Sequence, residues 1–514
     1  MRFLSYYFII CLCFFYLIVS NLLRAQLISP TASGKFMEVF QYTTTNPTGS
    51  PRANALGGAF TALGGDISSV TNNPAGLGFY RRSEYNIGLN TGFFKSKANV
   101  RNLSSVINTD YSKQWLNINN LGLVMESNRD LNNGFYGGAW AVSYQRLSNF
   151  HSAFQYYGNN QNNSIRDAYL EEVQGVIPVI ELDEGVAIVS NEAQTAYDAY
   201  VINVVEGGIS DASTDYYTLN PDASVSQLAI IQKSGGLSEL SLSYGGNFGD
   251  ELYFGFSANY LTVNHEEKKT YVEAIDDISD SLLSFQVEDR LITEGNGLSF
   301  RTGLIYNLAN NFKLGLTFES PKWLSLSESQ ITRITAEFDE TNTGFTIEDV
   351  ERMSGTFSYK LMTPMTFRFG GAYFFGKKGF ITSDIEFVDY PNAKLKASTF
   401  DFFADNNTIS NLYKGVVNYK IGGEYRIKQL MLRAGFARFN DPFRNTNEII
   451  IDHSKTFITG GIGFKNRKHA YGFSFQHYSY KTQYQAYTLA NELTPFLSAK
   501  HSGFTLQLNA SFYY

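Results

Sequence analysis

The sequence predicts an all-β fold, a transmembrane β-barrel of roughly 14 to 16 antiparallel strands. Three observations support this prediction: an export signal at the N-terminus, many segments in which apolar residues recur at every second position, and an apolar, aromatic C-terminal segment. After Val19, no apolar run reaches the roughly 18 residues of a membrane-spanning helix. Strands would therefore have to cross the membrane, because a closed barrel satisfies every strand hydrogen bond in lipid.

Composition fits a barrel better than a set of soluble domains. Charged residues make up 17% of the chain and aromatic residues 15%, whereas roughly 25% of a typical soluble domain is charged. A barrel combines an apolar, aromatic outer surface with a polar but sparsely charged interior. The net charge of −7 argues against a basic groove for nucleic acid, so no nucleic-acid partner is expected.

The N-terminus has the layout of a secretory signal peptide, which is predicted over residues 1–25. Arg2 precedes an apolar run from Tyr6 to Val19, and Ala25 supplies a small residue for cleavage. A transmembrane anchor is the alternative, but the apolar run is shorter than the roughly 20 residues that a spanning helix needs. The remainder of the chain is therefore expected to be exported.

Strands are predicted where apolar side chains alternate with polar ones, because one face of each strand meets lipid and the other the lumen. Tight turns at Gly249-Asp250 and Asn310-Asn311 join strand pairs and suit the periplasmic rim. The predicted strands cover residues 85–94, 116–126, 136–144, 240–248, 252–260, 298–308, 312–318, 325–338, 353–360, 365–375, 380–390, 416–427, 430–439, 456–464, 471–480 and 503–514.

The final strand is apolar on one face up to the last residue. The side chains on this face are Phe504, Leu506, Leu508, Ala510, Phe512 and Tyr514. An aromatic C-terminus resembles the assembly signal of bacterial outer-membrane barrels, whereas an ordinary half-buried strand would not need one. Phe512 and Tyr514 are therefore predicted to form this signal, with the barrel-assembly machinery as a partner.

Two long stretches interrupt the strand pattern, residues 151–236 and 265–296. Both are polar and acidic, with too little alternation to be predicted as strands. They are expected to be extracellular loops, either lids over the barrel mouth or disordered segments. Within the first, the segments Ile165 to Val173 and Asn191 to Val205 are predicted to form short helices.

The region before the barrel, residues 26–83, is rich in small residues, as close backbone packing in a confined space requires. Asn73-Pro74 is expected to end one short element and start another at Ala75, because the residue before proline avoids helical geometry. The residues alone leave two alternatives, a compact plug and an ordinary N-terminal turn. The barrel is predicted over residues 84–514.

The segment ALGGAFTALGGDISSVTNNPAGLGF resembles the N-terminal hatch of the FadL outer-membrane transport family, whose NPA motif corresponds to Asn73, Pro74 and Ala75. Weaker matches follow at Thr363-Pro364 and around Asp441-Pro442. The resemblance implies a monomeric barrel with 14 strands, the lower end of the range of 14 to 16 that the strand pattern predicts. It also implies a hatch inside the lumen and a place in the outer membrane of a Gram-negative bacterium, among its lipid and lipopolysaccharide.

The same resemblance implies a function, the passive uptake of hydrophobic small molecules such as long-chain fatty acids or aromatic hydrocarbons. The ligand would be captured from outside, and movement of the hatch would release it sideways into the membrane through a kinked third strand. Gly137 and Gly138 lie in the candidate third strand. Because glycine often marks a bend or bulge, this pair is the predicted lateral opening, although glycines are also common opposite large aromatics.

Other functional classes have less support in the sequence. A hydrolase or a haem-binding receptor would need a positioned histidine, and none of the six histidines lies in a recognisable nucleophile or ligand motif. Both cysteines, Cys11 and Cys13, lie in the predicted signal peptide. We therefore expect no enzyme activity, no cofactor and no metal. A docking barrel without transport, resembling PorV of a secretion system, is the main alternative.

Overall fold

The computed structural model describes residues 35–43, 46–107, 110–127, 130, 134–174, 189–209, 214–219, 223–276, 281–344, 346–444 and 451–514. The predicted signal peptide, residues 1–25, with Cys11 and Cys13, lies outside the described residues. Among the residues described, no helix is both long and apolar enough to cross a membrane.

The described strands form one antiparallel barrel, because the first strand pairs along its whole length with the last, from Glu84 opposite Tyr513 to Arg101 opposite Phe496. Neighbouring strands in the barrel follow chain order. When the segments of each interrupted strand are counted together, the barrel has the 14 strand positions that were predicted. Ten positions hold one continuous strand: β1 (Glu84–Arg101), β3 (Asp110–Glu126), β8 (Val225–Phe248), β9 (Leu252–Ile275), β10 (Leu282–Ala309), β18 (Gly415–Ile427), β19 (Leu430–Phe439), β20 (Lys455–Lys465), β21 (His469–Gln485) and β22 (Phe496–Tyr513).

The other four positions of the described barrel hold interrupted strands. They are β4 (Phe135–Asn149) with β5 (Ser152–Asn160), β11 (Phe312–Glu319) with β12 (Trp323–Phe338), β13 (Ile347–Met353) with β14 (Phe357–Met362) and β15 (Thr366–Phe374), and β16 (Gly379–Asp389) with β17 (Lys394–Lys396). The short strand β2 (Ser104–Ile107) lies between β1 and β3 in the chain and pairs with β5.

The outer face of the barrel is an apolar band. Along β1 buried and exposed residues alternate, and the outward-facing Ile87 and Leu89 are each 45% exposed. Similar exposed apolar side chains lie on the other strands, among them Leu242, Phe256 and Ile421. A surface of this kind is stable in lipid and costly in water, because burying apolar surface stabilises roughly in proportion to its area. The barrel therefore spans a membrane.

The strands extend well beyond the membrane at one end. Strands β8 and β9 have 24 residues each and β10 has 28, whereas about 10 suffice to cross a bilayer. The loop predicted over residues 265–296 is therefore wrong, since residues 265–275 and 282–296 continue β9 and β10. The alternation that marks lipid-facing strands fades there, because the outer face has left the apolar band.

A small folded cap fills the extended end of the barrel. It contains α4 (Ile165–Val173), α5 (Asn191–Asp198), β6 (Asn203–Ile209) and β7 (Thr214–Tyr217). Its buried side chains, such as Tyr169, pack against inward-facing residues of the barrel strands, such as Phe285 and Ile334. The loop predicted over residues 151–236 is therefore wrong in part: 152–160 and 225–236 are strands, α4 is present as predicted, and α5 ends before β6 begins.

The chain before β1 lies inside the barrel. Its elements are α1 (Phe36–Thr43), α2 (Pro51–Ala55), α3 (Ser69–Asn72) and a 3₁₀ helix (Pro74–Phe79). We call residues 46–80 the N-terminal segment. The segment contacts strands on opposite sides of the barrel, with α2 against β19 to β22 and the 3₁₀ helix against β4 and β8 to β10. Two further helices, α6 (Glu340–Thr343) and α7 (Phe403–Leu412), and a 3₁₀ turn (Tyr390–Asn392) connect barrel strands.

Candidate functional site

Asn73, the first residue of the predicted NPA motif, ties the N-terminal segment to the barrel wall. Its side-chain oxygen accepts a hydrogen bond from the Ala75 N–H at 3.1 Å and so caps the 3₁₀ helix, in which Pro74 is the first residue. Its amide nitrogen donates to the carbonyl oxygens of Thr61 (2.7 Å), Leu304 (3.1 Å) and Leu316 (3.3 Å). Asn73 is fully buried, so one side chain satisfies polar groups of two barrel strands.

A row of buried charges on the inner wall also holds α3 through its carbonyl groups. Arg301 pairs with Glu239 at 3.1 Å and with Glu319 at 3.3 Å, and Arg368 pairs with Glu319 at 2.8 Å and with Glu386 at 2.7 Å. Arg301 also donates to the carbonyl of Val70 in α3 at 2.8 Å. Cations near a helix C-terminus complement its exposed carbonyls, so this row fixes the N-terminal segment electrostatically.

Glycines of the wall let the segment approach closely. A Cβ atom added to Gly255 would lie 2.3 Å from the carbonyl carbon of Pro74, and one added to Gly435 would lie 2.3 Å from that of Leu56. No side chain larger than hydrogen fits these contacts, which accounts for glycines in the middle of strands. The segment is thus packed against the wall on both sides.

A cavity of about 340 Å³ lies between α1, Asn46 at the start of the N-terminal segment and the inner face of the barrel wall. Such a volume is within the range of small-molecule sites, roughly 300–1,000 Å³. Aromatic side chains form much of its lining: Phe40, Tyr42, Phe150, Phe154, Tyr390, Phe439, Tyr480 and Tyr484. The sequence pattern gave no direct sign of this cavity, because its residues come from α1, nine strands and the connections between them, which only the closed barrel brings together.

Charged and polar groups also line the cavity. Lys455 donates to the side-chain oxygen of Asn46 at 2.7 Å and lies about 5 Å from the ring centres of Phe457, Tyr478 and Tyr480. It forms no salt bridge with a described residue. On α1, burial raises the pKa of Glu38 to about 7 although Lys35, whose ammonium lies 2.8 Å away, opposes the rise. The cavity is therefore apolar with a few placed polar groups.

Next to this cavity the barrel wall lacks backbone pairing. Strand β3 pairs with β4 only from Asn120 to Glu126, so residues 110–119 have no strand partner on that side among the described residues. We call this place the wall gap. Side chains alone bridge it: Asn117 donates to Asn149 at 3.1 Å, and the Trp115 and His151 rings stack with centres 5.8 Å apart. Trp115, Asn149 and His151 also line a second, smaller cavity of about 60 Å³.

The wall gap is produced by a distortion of the third barrel position. Its first segment, β4, has a register shift between Arg146 and Ser148 and ends at Asn149, before β5 begins at Ser152. Arg146 donates to the carbonyl of Gly235 on β8 at 2.7 Å, and Gly235 has φ of +100°. The same carbonyl accepts a hydrogen bond from the Phe150 N–H at 3.1 Å, so it binds the chain on both sides of the interruption.

The predicted lateral opening, Gly137 and Gly138, lies elsewhere on the same strand. Gly137 has φ of +101° and lies at a bulge, as glycine there suggested. The wall is closed at this point, since Gly138 is opposite Gly246 and its carbonyl accepts from the Ser127 N–H at 2.9 Å. The strand is thus bent at the glycine pair. The backbone pairing between β3 and β4, however, is missing further along, at residues 146–151. The role of the glycine pair in ligand release stays a prediction.

The remaining predicted site residues are at the chain terminus and among the histidines. Phe512 lies opposite Tyr85 in the β1–β22 ladder, and the Tyr514 ring stacks on Tyr85 with centres 4.8 Å apart. Both C-terminal aromatics are exposed on the outer face, and their assembly role stays a prediction. His151 and His265 both line the cavity, but no group of three or more metal-ligating side chains occurs in the described residues.

One hydroxyl–imidazole pair lies beside the cavity, between Thr482 and the Nε2 atom of His501 at 2.8 Å. The other ring nitrogen of His501 has no hydrogen-bond partner among the described residues. A catalytic triad requires a third group that orients the histidine. In the described residues the pair is therefore not part of a complete catalytic triad.

Comparisons with known proteins agree with this architecture. A closed, membrane-spanning barrel of fourteen strands with the preceding chain folded inside it defines a class, the plugged outer-membrane barrels. A Pseudomonas aeruginosa FadL homologue shares the fold with a TM-score of 0.53 at 12% identity, covering 91% of this chain and 99% of that one. The toluene transporter TodX of P. putida has a TM-score of 0.51 at 13% identity, with coverage of 91% and 99%.

The chain is therefore an outer-membrane β-barrel with the FadL-type fold. A sequence profile of the family described as BamG matches residues 208–444. This match covers strands β8 to β19 and leaves out the N-terminal segment. No curated protein matches the sequence.

Proposed function

We propose that this chain is a passive outer-membrane channel for hydrophobic small molecules, which bind in the aromatic cavity and leave sideways through the wall gap. The observation that carries the proposal is the position of that cavity directly beside the gap. His151 and Asn149 line the cavity and also border the unpaired part of β3. A ligand leaving the cavity at this point would need to displace side chains and no backbone hydrogen bonds.

Energetics favour this route for an apolar ligand. Transfer from water into the cavity and then into lipid releases roughly 25 cal/mol for each Å² of apolar surface buried, so no energy source is needed. The residues Leu116 and Ile118 beside the gap are exposed and apolar on the outer face. The ligand would therefore pass from one apolar environment to another.

Entry requires a movement that the packed interior resists. Phe154 of the cavity lining belongs to the same buried cluster as the cap, and Asn46 of the lining begins the N-terminal segment, which Asn73 and the buried charges hold. We propose that the segment acts as a hatch, with its displacement coupled to ligand passage, and that the protein works as a monomer. Aromatic hydrocarbons and the chain of a fatty acid are the ligand classes that fit a cavity of this size and lining.

The proposal is tested by the uptake of radiolabelled toluene and oleate into cells that express the chain or lack it. Ser152→Trp places a large ring in the cavity, which Ser152 lines, and is expected to lower uptake to the level of cells without the chain. Ser383→Trp is the matched control, because Ser383 is exposed on the outer face between Ile381 and Ile385. It should leave uptake unchanged.

Equal uptake by all of these strains, with each protein present in the outer membrane at similar levels, would contradict the transport proposal. Such a result would leave the barrel itself unaffected. The same experiment distinguishes the two ligand classes, because Ser152→Trp would lower the uptake of toluene or of oleate alone if only that compound is transported.

A second candidate, a docking barrel without transport, is favoured by one observation. The cap and the extended strands form a folded body beyond the apolar band, and its buried core has 28 hydrophobic residues among those described. In this case cross-linking in intact cells would recover a stable protein partner, and the Ser152→Trp variant would recover it equally well.

A further inference from the structure

The boundary of the apolar band is sharp on one side of the barrel. Around the wall, Tyr260 lies opposite Leu298, Leu298 opposite Trp323, and Trp323 opposite Met362. We call this the aromatic row. It forms part of the outer face, where rings and apolar chains mark the edge of a membrane in other barrels.

The next outward-facing row, two residues further from the short turns, is polar and basic. Thr262 lies opposite Asn296, Asn296 opposite Ser325, Ser325 opposite Lys360, and Lys360 opposite Lys396. Lys394 lies opposite Met362 and completes the group. We call Lys360, Lys394 and Lys396 the lysine cluster. The cluster therefore lies at the boundary between the apolar band and the extended end.

The lysine cluster lacks compensating charge. All three side chains are exposed, and none forms a salt bridge with a described residue. Lys360 and Lys396 are direct cross-strand neighbours, and like charges at such positions destabilise a sheet. The carboxylates of Asp401 and Glu294 lie at the margins of the surrounding grooves, beyond ion-pairing distance. An anion bound between the lysines would remove this repulsion.

Two open grooves meet at the cluster. One, of about 980 Å³, runs from Trp323 and Met362 past all three lysines to Phe400 and Phe402. The other, of about 1060 Å³, runs from Tyr260 past Lys360 and Lys396. Each groove thus has apolar or aromatic side chains at membrane level and lysines directly above them, which matches a molecule with a phosphorylated head and hydrocarbon chains.

We infer that the lysine cluster binds the phosphorylated headgroup of an outer-leaflet glycolipid, lipid A, whose acyl chains lie along the aromatic row. Short turns lie at the periplasmic rim of such barrels, so the extended end and the cluster are on the outer-leaflet side. A basic group immediately beyond a membrane-spanning region recognises anionic lipid heads by charge. A free phosphate would use the lysines alone, whereas a lipid would also use Trp323 and Met362.

The inference is tested by titrating the purified full-length protein in detergent with fluorescently labelled diphosphoryl lipid A. The variant Lys360→Gln/Lys394→Gln/Lys396→Gln should weaken binding by about tenfold or more, because three of the charges near the headgroup are lost. The control variant Lys377→Gln/Lys378→Gln/Lys428→Gln removes three exposed lysines from turns at the opposite rim. It should bind as the unmodified protein does.

Two further measurements separate the sources of phosphate. Fully dephosphorylated lipid A should bind the unmodified protein as weakly as diphosphoryl lipid A binds the triple variant. Millimolar inorganic phosphate should displace little of the labelled lipid, because it lacks the acyl chains. Equal affinity of the triple variant and the unmodified protein would overturn the inference, as would complete displacement by inorganic phosphate. Neither result depends on uptake through the cavity.

Discussion

Asn73 uses both ends of its side-chain amide, and through it the N-terminal segment is attached to β10 and β11. The resemblance of residues 73–75 to the NPA motif marked this segment as a candidate hatch, but it did not predict what Asn73 bonds to. Its partners, the carbonyls of Thr61, Leu304 and Leu316, are 12, 231 and 243 residues away in the chain. Such contacts depend on the closed barrel and have no local sequence signal.

Replacement of the Asn73 side chain should measurably lower the free energy of unfolding. Asn73→Ala removes the donor to the buried carbonyl of Thr61 and the acceptor of the Ala75 N–H, which costs about 1–3 kcal/mol of unfolding free energy. Asn72→Ala is the control, because among the described residues the Asn72 side chain bonds to Ser68 and Thr71 of its own turn and to no barrel strand. Urea unfolding of both variants in detergent should show a larger loss for Asn73→Ala, and equal losses would contradict the role assigned to it.

The buried charges predict a contrast between two arginines. Arg301→Met leaves Glu239 buried without its partner and is expected to cost about 3–5 kcal/mol. Arg333→Met breaks an ion pair with Asp349 whose side chains are 48% and 40% exposed, and exposed pairs of this kind contribute far less to stability than buried ones. Urea midpoints in detergent would measure both. If the double variant Arg301→Met/Glu239→Gln has a higher urea midpoint than Arg301→Met, the lost stability comes from the unpaired carboxylate of Glu239.

At the scale of elements, the third barrel position decides where the wall opens. A bend in the third strand was predictable from the glycine pair and the family resemblance. The position of the bend at residues 146–151 could not be predicted, because this stretch contains no glycine or proline that would mark an interrupted strand. The bend depends instead on the neighbouring strand, where Gly235 adopts a left-handed conformation.

Gly235→Ala should therefore disturb the bend. An added Cβ atom would lie 2.0 Å from the carbonyl oxygen of Asn264, and φ of +100° disfavours any side chain. A strained residue of this kind costs about 1–3 kcal/mol, so both the melting temperature and uptake should fall. Gly371→Ala, where the nearest neighbour is an ordinary 3.7 Å contact with Phe312, should change neither. Unchanged melting and uptake in Gly235→Ala would contradict the importance of the bend.

The lengths of the strands show a second limit of sequence patterns. Alternation predicted the strands well where lipid covers the outer face, as in β1 and β22. It failed for residues 265–296, because outside the apolar band both faces of β9 and β10 can be polar. The helix α4 was predicted with its observed bounds, since its apolar face packs in the core of the cap at helical spacing.

On the scale of the whole molecule, two bodies block the lumen, the N-terminal segment and the cap. Each should prevent the passage of ions by itself. Deletion of residues 46–80 alone is therefore expected to leave planar-bilayer conductance near zero, as is replacement of residues 162–222 by a short linker. The combination of both changes should produce a large, steady conductance. A large conductance in either single variant would contradict the double closure.

The central claim is that a ligand leaves the barrel through the wall gap, and a reversible cross-link tests it most directly. Asn117→Cys/Asn149→Cys places two thiols where the side chains already meet across the gap. Leu123→Cys/Val142→Cys links the same two strands where the backbone is already paired. The exported chain is expected to contain no other cysteine.

The measurement is uptake of labelled toluene and oleate before and after reduction of the disulfide. The oxidised gap variant should stop uptake and recover it on reduction, while the control variant should transport equally in both states. Full uptake by the oxidised gap variant, with its disulfide confirmed, would contradict lateral release through the wall gap.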